Sequence, residues 1–147
     1  MVAPRRDRAN GAAPVAVLAL LLLFLFGCDR SPDEAERRRI LDAIDAVRDA
    51  PRQDSVRRSG LLDGLARQSV TVPEALRARE ACVSAYRLLF EGDDMAGRLD
   101  RALARGGSPG PSFAEDLRAA EDKIIRAKAA MPGCELGLEA LRHPRRG

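Results

Sequence analysis

Three cysteines, Cys28, Cys82 and Cys134, are the residues of this chain with the most distinctive chemistry. A thiol can form a disulfide, bind a metal or carry a covalent group, and its spacing from other residues helps to decide among these uses. The sequence contains neither C-x-x-C nor C-x-x-C-H, which argues against a thioredoxin-like pair and excludes haem attachment through that motif. Because the number is odd, one thiol is left over when the other two pair.

Acid–base and metal chemistry have little support in the sequence. The only histidine, His143, lies in the C-terminal tail beside Pro144, whereas a general base must be held in a fixed position. No H-E-x-x-H motif occurs, and the glycine-rich segment 106–110 lacks the Lys-Ser/Thr of a P-loop. Asp93 and Asp94 could form a helix cap or half of an acid pair, and we favour the cap. The sequence therefore predicts no catalytic residue, no metal site and no cofactor.

The N-terminal segment has the three parts of a bacterial export signal. Arg5, Arg6 and Arg8 precede an apolar run from 12 to 26, and charged sequence follows directly after Gly27-Cys28. As a helix this run reaches about 22 Å, which is short of the roughly 30 Å hydrocarbon core of a membrane. The length is typical of the hydrophobic region of a signal peptide.

The end of the apolar run, Leu25-Phe26-Gly27-Cys28, resembles the lipobox of bacterial membrane lipoproteins. An aliphatic residue lies three positions before the cysteine and a small residue lies directly before it, while Phe26 occupies a position where a smaller residue is more common. The resemblance covers only the signal segment. It implies removal of residues 1–27 and a lipid on the Cys28 thiol, with residues 28–32 as a short tether. Asp29 resembles the inner-membrane retention signal of enterobacterial lipoproteins, although the outer membrane stays open.

Two other interpretations of this segment remain. The apolar run could stay attached as an uncleaved anchor, with Cys28 incidental; the domain is tethered to a membrane in either case. A twin-arginine signal is less favoured, because Asp7-Arg8-Ala9-Asn10 follows Arg5-Arg6 without a hydrophobic pair. Both lipoprotein and anchor predict a chain exported to the periplasmic side of the bacterial envelope.

Lipidation of Cys28 would leave Cys82 and Cys134 as an even pair in an oxidising compartment. We therefore predict a disulfide between them. The chain-entropy treatment gives about 4 kcal/mol for a loop of this length, as an upper figure before strain. Two buried free thiols that pack as small hydrophobic groups are the alternative.

The charge of the chain gives no support to nucleic-acid binding. Removal of Arg5, Arg6, Asp7 and Arg8 with the signal leaves 22 basic and 21 acidic side chains. A nucleic-acid interface needs a basic face and usually stacking aromatic residues. We expect a membrane, reached through the lipid anchor, and an envelope protein as partners, and no nucleic acid.

Helical patterns fill the rest of the sequence, and no strand pattern competes with them. Three segments are typical of helix N-terminal capping boxes: Ser31-Pro32-Asp33-Glu34, Thr71-Val72-Pro73-Glu74 and Ser112-Phe113-Ala114-Glu115. Apolar residues at helical spacing follow each box, and a weaker pattern covers 55–69. We expect the helix that begins near Thr71 to end at Glu91-Gly92, with a short helix after it. We expect the helix from 112 to end at Pro132-Gly133, with a final short helix beyond Cys134.

These patterns predict an all-α fold, a small bundle of three to five helices over residues 33–142, followed by a disordered tail over 143–147. The function that we expect is a lipid-anchored, non-catalytic interaction or structural module. A small-ligand carrier, with a cavity between its helices for an apolar or anionic molecule, is the alternative. An enzyme acting on envelope components is less favoured, because it would require two carboxylates that converge in one cleft.

Overall fold

The computed structural model describes residues 31–106 and 110–144. Four helices lie in these ranges: α1 (Pro32–Arg48), α2 (Ser55–Arg67), α3 (Pro73–Ala104) and α4 (Phe113–Arg142). No strand occurs in the described part of the chain. All four helices belong to one compact unit that begins at Pro32. The predicted all-α fold with three to five helices is confirmed.

The long helices α3 and α4 form an antiparallel hairpin with small residues at its seam. Gly92, late in α3, lies against Ala120 and Ile124, early in α4. Gly137, late in α4, lies against Ala78, early in α3. A Cβ atom added to Gly137 would come within 2.8 Å of the Ala78 Cα, so the two backbones are nearly in contact there. Small side chains permit this approach, and each helix then buries its neighbour's backbone.

The shorter helices α1 and α2 pack on the hairpin through aliphatic side chains. The predicted α1 stripe of Ile40, Ile44 and Val47 is buried as expected, with exposures of 0%, 0% and 1%. Leu62 and Leu65 of α2 join the same core. The repeat of three and four positions explains why one face of each helix meets the others.

Helix α3 continues past Gly92, so the predicted end at Glu91-Gly92 and the separate short helix after it are wrong. Glycine costs about 1 kcal/mol relative to alanine inside a helix, which is small beside the packing of a long hairpin. An ideal Cβ on Gly92 would lie 2.8 Å from the Ile124 Cγ1 atom and 3.2 Å from the Ala120 carbonyl oxygen. This glycine therefore serves the close approach of α3 and α4, and it does not end a helix.

Helix α4 likewise continues past Pro132-Gly133 to Arg142, so the predicted end there and the separate final helix are wrong. Pro132 cannot donate a hydrogen bond to the Lys128 carbonyl. Both residues are exposed, and water can therefore satisfy that carbonyl. Beyond the proline, Cys134, Leu138 and Leu141 are buried, and this packing keeps the last three turns on the hairpin.

The capping boxes of α3 and α4 are not formed. The residues at the N-caps, Val72 and Ser112, make no side-chain capping bond. Thr71 instead donates its hydroxyl to Glu36 of α1. Side-chain capping occurs at α2, where Asp54 Oδ1 accepts from the Arg57 backbone N–H at 2.9 Å. Local sequence thus starts α2, whereas a neighbouring helix caps α3.

Candidate functional site

Cys82 and Cys134 lie on the hairpin seam, between the Ala78–Gly137 contact and the Gly92–Ile124 contact. Their sulfur atoms are 1.98 Å apart, at disulfide-bonding distance, and their Cα atoms are 4.5 Å apart. Both residues are buried, with exposures of 0% and 1%. The pair therefore crosslinks two helices that are already in close contact, at a point that solvent does not reach.

The predicted lipid attachment site, Cys28, lies outside the described residues, as do Asp29 and the apolar run from 12 to 26. Within 31–106 and 110–144, no helix is both long enough and apolar enough to cross a membrane. The structure therefore bears on the helical domain alone.

A buried arginine forms the most enclosed charged cluster of the described residues. Arg58 of α2 has an exposure of 3%. Its Nη1 atom lies 3.1 Å from Asp93 Oδ2, and its Nη2 atom lies 3.1 Å from Asp94 Oδ1. The guanidinium carbon lies 4.4 Å from the centre of the Phe90 ring, a position that favours a cation over the ring face. Arg52 approaches Asp93 from the outside, at 3.7 Å.

This arrangement corrects the interpretation of Asp93 and Asp94 as a helix cap. Both residues lie inside α3, and their carboxylates converge on one guanidinium. An acid pair of a hydrolase needs one carboxyl group free to give or take a proton, whereas here Arg58 donates a hydrogen bond to each. The cluster is suited to holding α2 against α3, because a planar guanidinium can bridge two acceptors at once.

A second polar contact joins α1 to the start of α3. Glu36 accepts hydrogen bonds from the backbone N–H groups of Val72 and Thr71, each at 2.7 Å, and from the Thr71 hydroxyl at 2.9 Å. The bond from Val72 contributes most to holding the pKa of Glu36 below its usual value of 4.5, and the bonds from Thr71 add to it. The carboxylate thus caps a helix to which it does not belong.

His143 lies at the C-cap of α4, where its backbone N–H donates to the Glu139 carbonyl at 3.0 Å. Its imidazole is 75% exposed and lies 3.5 Å from the Glu139 carboxylate. The predicted disordered tail covered 143–147: His143 instead caps α4, and residues 145–147 lie outside the described ranges. No group of three or more His, Cys, Asp or Glu side chains within those ranges could hold a metal ion.

The outer face of α4 carries large apolar side chains that the bundle does not cover. Ile125 is 65% exposed and Leu136 is 72% exposed. Ala129 and Pro132 lie between them at helical spacing and are also exposed. We call these four residues the outer stripe. It lies opposite the buried face of α4, which contains Ala120, Ala127 and Cys134.

Surface grooves of the domain are lined by charged residues. A groove of about 500 Å³ runs between α4 and the start of α3 and includes Arg37, Arg77 and Glu139. Another, of about 320 Å³, lies over the Arg58 cluster and includes Arg52 and Arg101. A site for an apolar ligand is mostly apolar with few polar groups. Because arginine side chains line both grooves, neither groove is such a site, whereas the anionic ligand of the carrier interpretation stays open.

Sequence reasoning missed two features of the site. Arg58 occupies the same helical face as Leu62 and Leu65, and an arginine within an apolar stripe indicates a buried ion pair when acidic residues are near. The outer stripe was hidden by the expected helix end at Pro132, which divides it in two.

Comparison with protein-family profiles, with curated proteins and with solved structures found no match for this chain.

Proposed function

We propose that this chain is a membrane lipoprotein whose helical domain acts as a non-catalytic interaction or structural module on the periplasmic face of a bacterial membrane. The observation that carries the proposal is the placement of Cys82 and Cys134 at disulfide-bonding distance. A disulfide accounts for two of the three thiols and is typical of an oxidising compartment. Cys28 then remains for the lipid that its lipobox-like surroundings imply.

The non-catalytic part of the proposal rests on the described polar groups. Arg58 engages the two carboxylates that converge, and His143 lies on an exposed helix end. Neither arrangement offers a buried acid or base within reach of a substrate bond. The outer stripe, by contrast, offers apolar surface of the kind that proteins cover with a partner.

Membrane attachment of such a domain has a physical consequence for its partners. The several acyl chains of a mature lipoprotein hold it stably, whereas a single chain is marginal. A tethered domain and a membrane-bound partner share a thin layer, so their effective concentration is high without any new contact. Modest surfaces can then be enough for association.

The experiment that tests the proposal is fractionation of cells that express the full chain or its Cys28→Ser variant. We expect the wild type in the membrane fraction, with an acyl mass on residue 28, and the variant without that mass. The matched control is Cys82→Ala/Cys134→Ala, which lacks the crosslink and should stay lipidated. A wild-type chain without lipid on Cys28 would overturn the proposal.

A second experiment tests to which membrane the protein is sorted. We propose the inner membrane, because Asp29 follows the lipidated position. In an enterobacterial host, Asp29→Ser should move the protein to the outer-membrane fraction of a density gradient. Equal distribution of both chains would remove Asp29 as the sorting signal and leave the lipid anchor in place.

A further inference from the structure

The outer stripe has the spacing and exposure of a helix-docking face. Ile125 and Leu136 stand at its two ends, and Ala129 and Pro132 fill the middle. The three steps between these residues are four, three and four positions, which is the spacing of a helix–helix seam. The two large side chains lie about three turns apart, with small or rigid residues between them.

Charges along one edge of the outer stripe alternate in sign. Glu121, Lys128, Glu135 and Arg142 follow one another at seven-residue intervals on this edge. Neither Lys128 nor Glu135 has an ion-pair partner among the described residues. Arg142 already lies 3.6 Å from Asp45 of α1, so the register is argued from the inner two charges.

This edge is complementary to itself when its direction is reversed. If two copies of α4 lie antiparallel, with the twofold axis between Ala129 and Pro132, Lys128 of each copy faces the partner's Glu135. Glu121 then also faces the partner's Arg142. The next seam positions bring Asp122 opposite the partner's Glu139. Each of these carboxylates already lies near a basic side chain of its own chain, Arg126 at 3.5 Å and His143 at 3.5 Å respectively. Antiparallel helices bring the same edge of each copy together, so the lysine–glutamate contact occurs twice.

The apolar residues fit the same register. Leu136 of each copy meets the partner's Ile125, while Ala129 meets the partner's Pro132 at the centre. Every large exposed side chain of the stripe is covered in this arrangement. A twofold interface uses the same patch on both copies, so the patch must be complementary to itself. The charges and the apolar residues of α4 meet this condition in the same register.

We propose that the outer stripe of α4 binds the outer stripe of a second copy of this chain in an antiparallel, twofold-symmetric dimer. The inference deepens the proposed function by naming the partner of the interaction module, and membrane tethering strengthens it by concentrating the chain. The contact surface itself does not require the lipid. The dimer is therefore measured in both the wild type and the Cys28→Ser chain.

Charge exchange tests the register. The full chain is purified in a mild detergent, and its dimer dissociation constant is measured by sedimentation velocity. Lys128→Glu and Glu135→Lys should each weaken the dimer by about tenfold, because each places like charges in contact twice. The double variant Lys128→Glu/Glu135→Lys should restore it to within about twofold of the wild type. A mixture of the two single variants should form heterodimers in preference to either homodimer.

Apolar substitution tests the seam. Leu136→Glu should weaken the dimer by at least about thirtyfold, because it buries a charge opposite the partner's Ile125. The matched control is Val56→Glu, which changes an exposed valine of α2 that is 83% exposed and lies outside the stripe. The control should leave the dissociation constant unchanged. Circular dichroism of both variants verifies that the helices remain.

A zero-length carbodiimide reagent identifies the contact without any substitution. In a mixture of ¹⁴N and ¹⁵N chains, a mixed-isotope crosslink between Lys128 and Glu135 is the expected product. A monomeric wild type, a dimer indifferent to Leu136→Glu, or failure of the charge exchange to restore binding would overturn the inference. A lipidated wild-type chain that does not dimerise contradicts the inference and leaves the proposed function intact. A wild-type chain that dimerises but carries no lipid on Cys28 contradicts only the proposed function.

Discussion

The α3–α4 hairpin and the α1–α2 layer are held by different kinds of contact. At the hairpin seam, Gly92 and Gly137 let the two backbones approach, and Cys82 and Cys134 lie at bonding distance. The α1–α2 layer adds the polar contacts of Arg58 and Glu36 to its aliphatic core. The hairpin therefore depends on small side chains at its seam, whereas the layer combines aliphatic burial with charged contacts.

Removal of the crosslink should have the largest effect on this comparison. Cys82→Ala/Cys134→Ala should lower the free energy of unfolding by up to about 4 kcal/mol, because the unfolded chain regains the freedom of a long loop. Urea unfolding monitored by circular dichroism measures it. Cys28→Ser is the control and should leave the value unchanged. Equal stability of the double alanine variant and the wild type would mean that the seam holds without a bond.

Loss of the buried arginine should have the next largest effect, and it acts on the other region. Arg58→Ala should lower the free energy of unfolding by about 2–3 kcal/mol, because Asp93 and Asp94 lose their shared partner. Partial exposure of both carboxylates keeps the loss below that of a fully buried ion pair. The control is Arg52→Ala, which removes a 78% exposed side chain from the same carboxylate. It should change stability by less than about 0.5 kcal/mol. Similar losses in both variants would contradict the account.

A methyl group added at the seam should have a smaller effect of definite sign. Gly137→Ala should destabilise the protein by about 1–2 kcal/mol, because its Cβ meets the Ala78 backbone and the gain in helix propensity only partly offsets the clash. In the α1–α2 layer, Gly64→Ala should instead stabilise by up to about 1 kcal/mol, since nothing lies within 4 Å of the added atom. Thermal unfolding measures both. Stability changes of opposite sign would support the contrast between the hairpin seam and the α1–α2 layer, and changes of equal sign would contradict it.

The Glu36 contact should appear mainly as a dependence on pH. Hydrogen bonds hold the pKa of Glu36 below 4.5 in the folded protein, so its stabilising contribution is present above that value and is lost as the pH falls through the lowered pKa. Glu36→Gln should therefore lower the unfolding temperature at neutral pH and differ less from the wild type at pH about 2 to 3. Asp63→Asn, on an exposed position of α2, is the control. A difference that is constant with pH would rule out the ionic contact.

The sequence was sufficient for the helical class and for the start of α1. Pro32 opens that helix, and the Ile40, Ile44 and Val47 stripe is buried as its spacing predicts. These signals are local, since they depend on residues within one or two turns. The pairing of Cys82 with Cys134 came from counting the thiols, and the structure places the two sulfur atoms at bonding distance.

The errors share one physical cause, which is that the same residue type has a local and a tertiary use. The sequence pattern predicts a helix end at Gly92, but this glycine makes room for Ala120 and Ile124 of the facing helix. Pro132 lacks a hydrogen-bond donor, but its exposed position and the packing of the last turns keep α4 continuous. Such choices depend on what lies across the seam, and a single sequence does not contain that information.

The Arg58 cluster could be predicted only in part. The position of Arg58 on the same face as Leu62 and Leu65 can be predicted from the sequence. Its distance from Asp93 and Asp94 depends on how α2 crosses α3. The outer stripe became visible only when α4 was found to be continuous. Both features show that the bounds of the long helices had to be known before their faces could be interpreted.

The most direct test of the account is the intact mass of the protein isolated from bacterial membranes, measured before and after reduction. We expect a chain that begins at Cys28 and carries acyl groups, and whose mass rises by two hydrogen atoms when Cys82 and Cys134 are reduced. A chain that still carries its N-terminal signal segment, with residue 28 unmodified, would contradict the lipoprotein proposal.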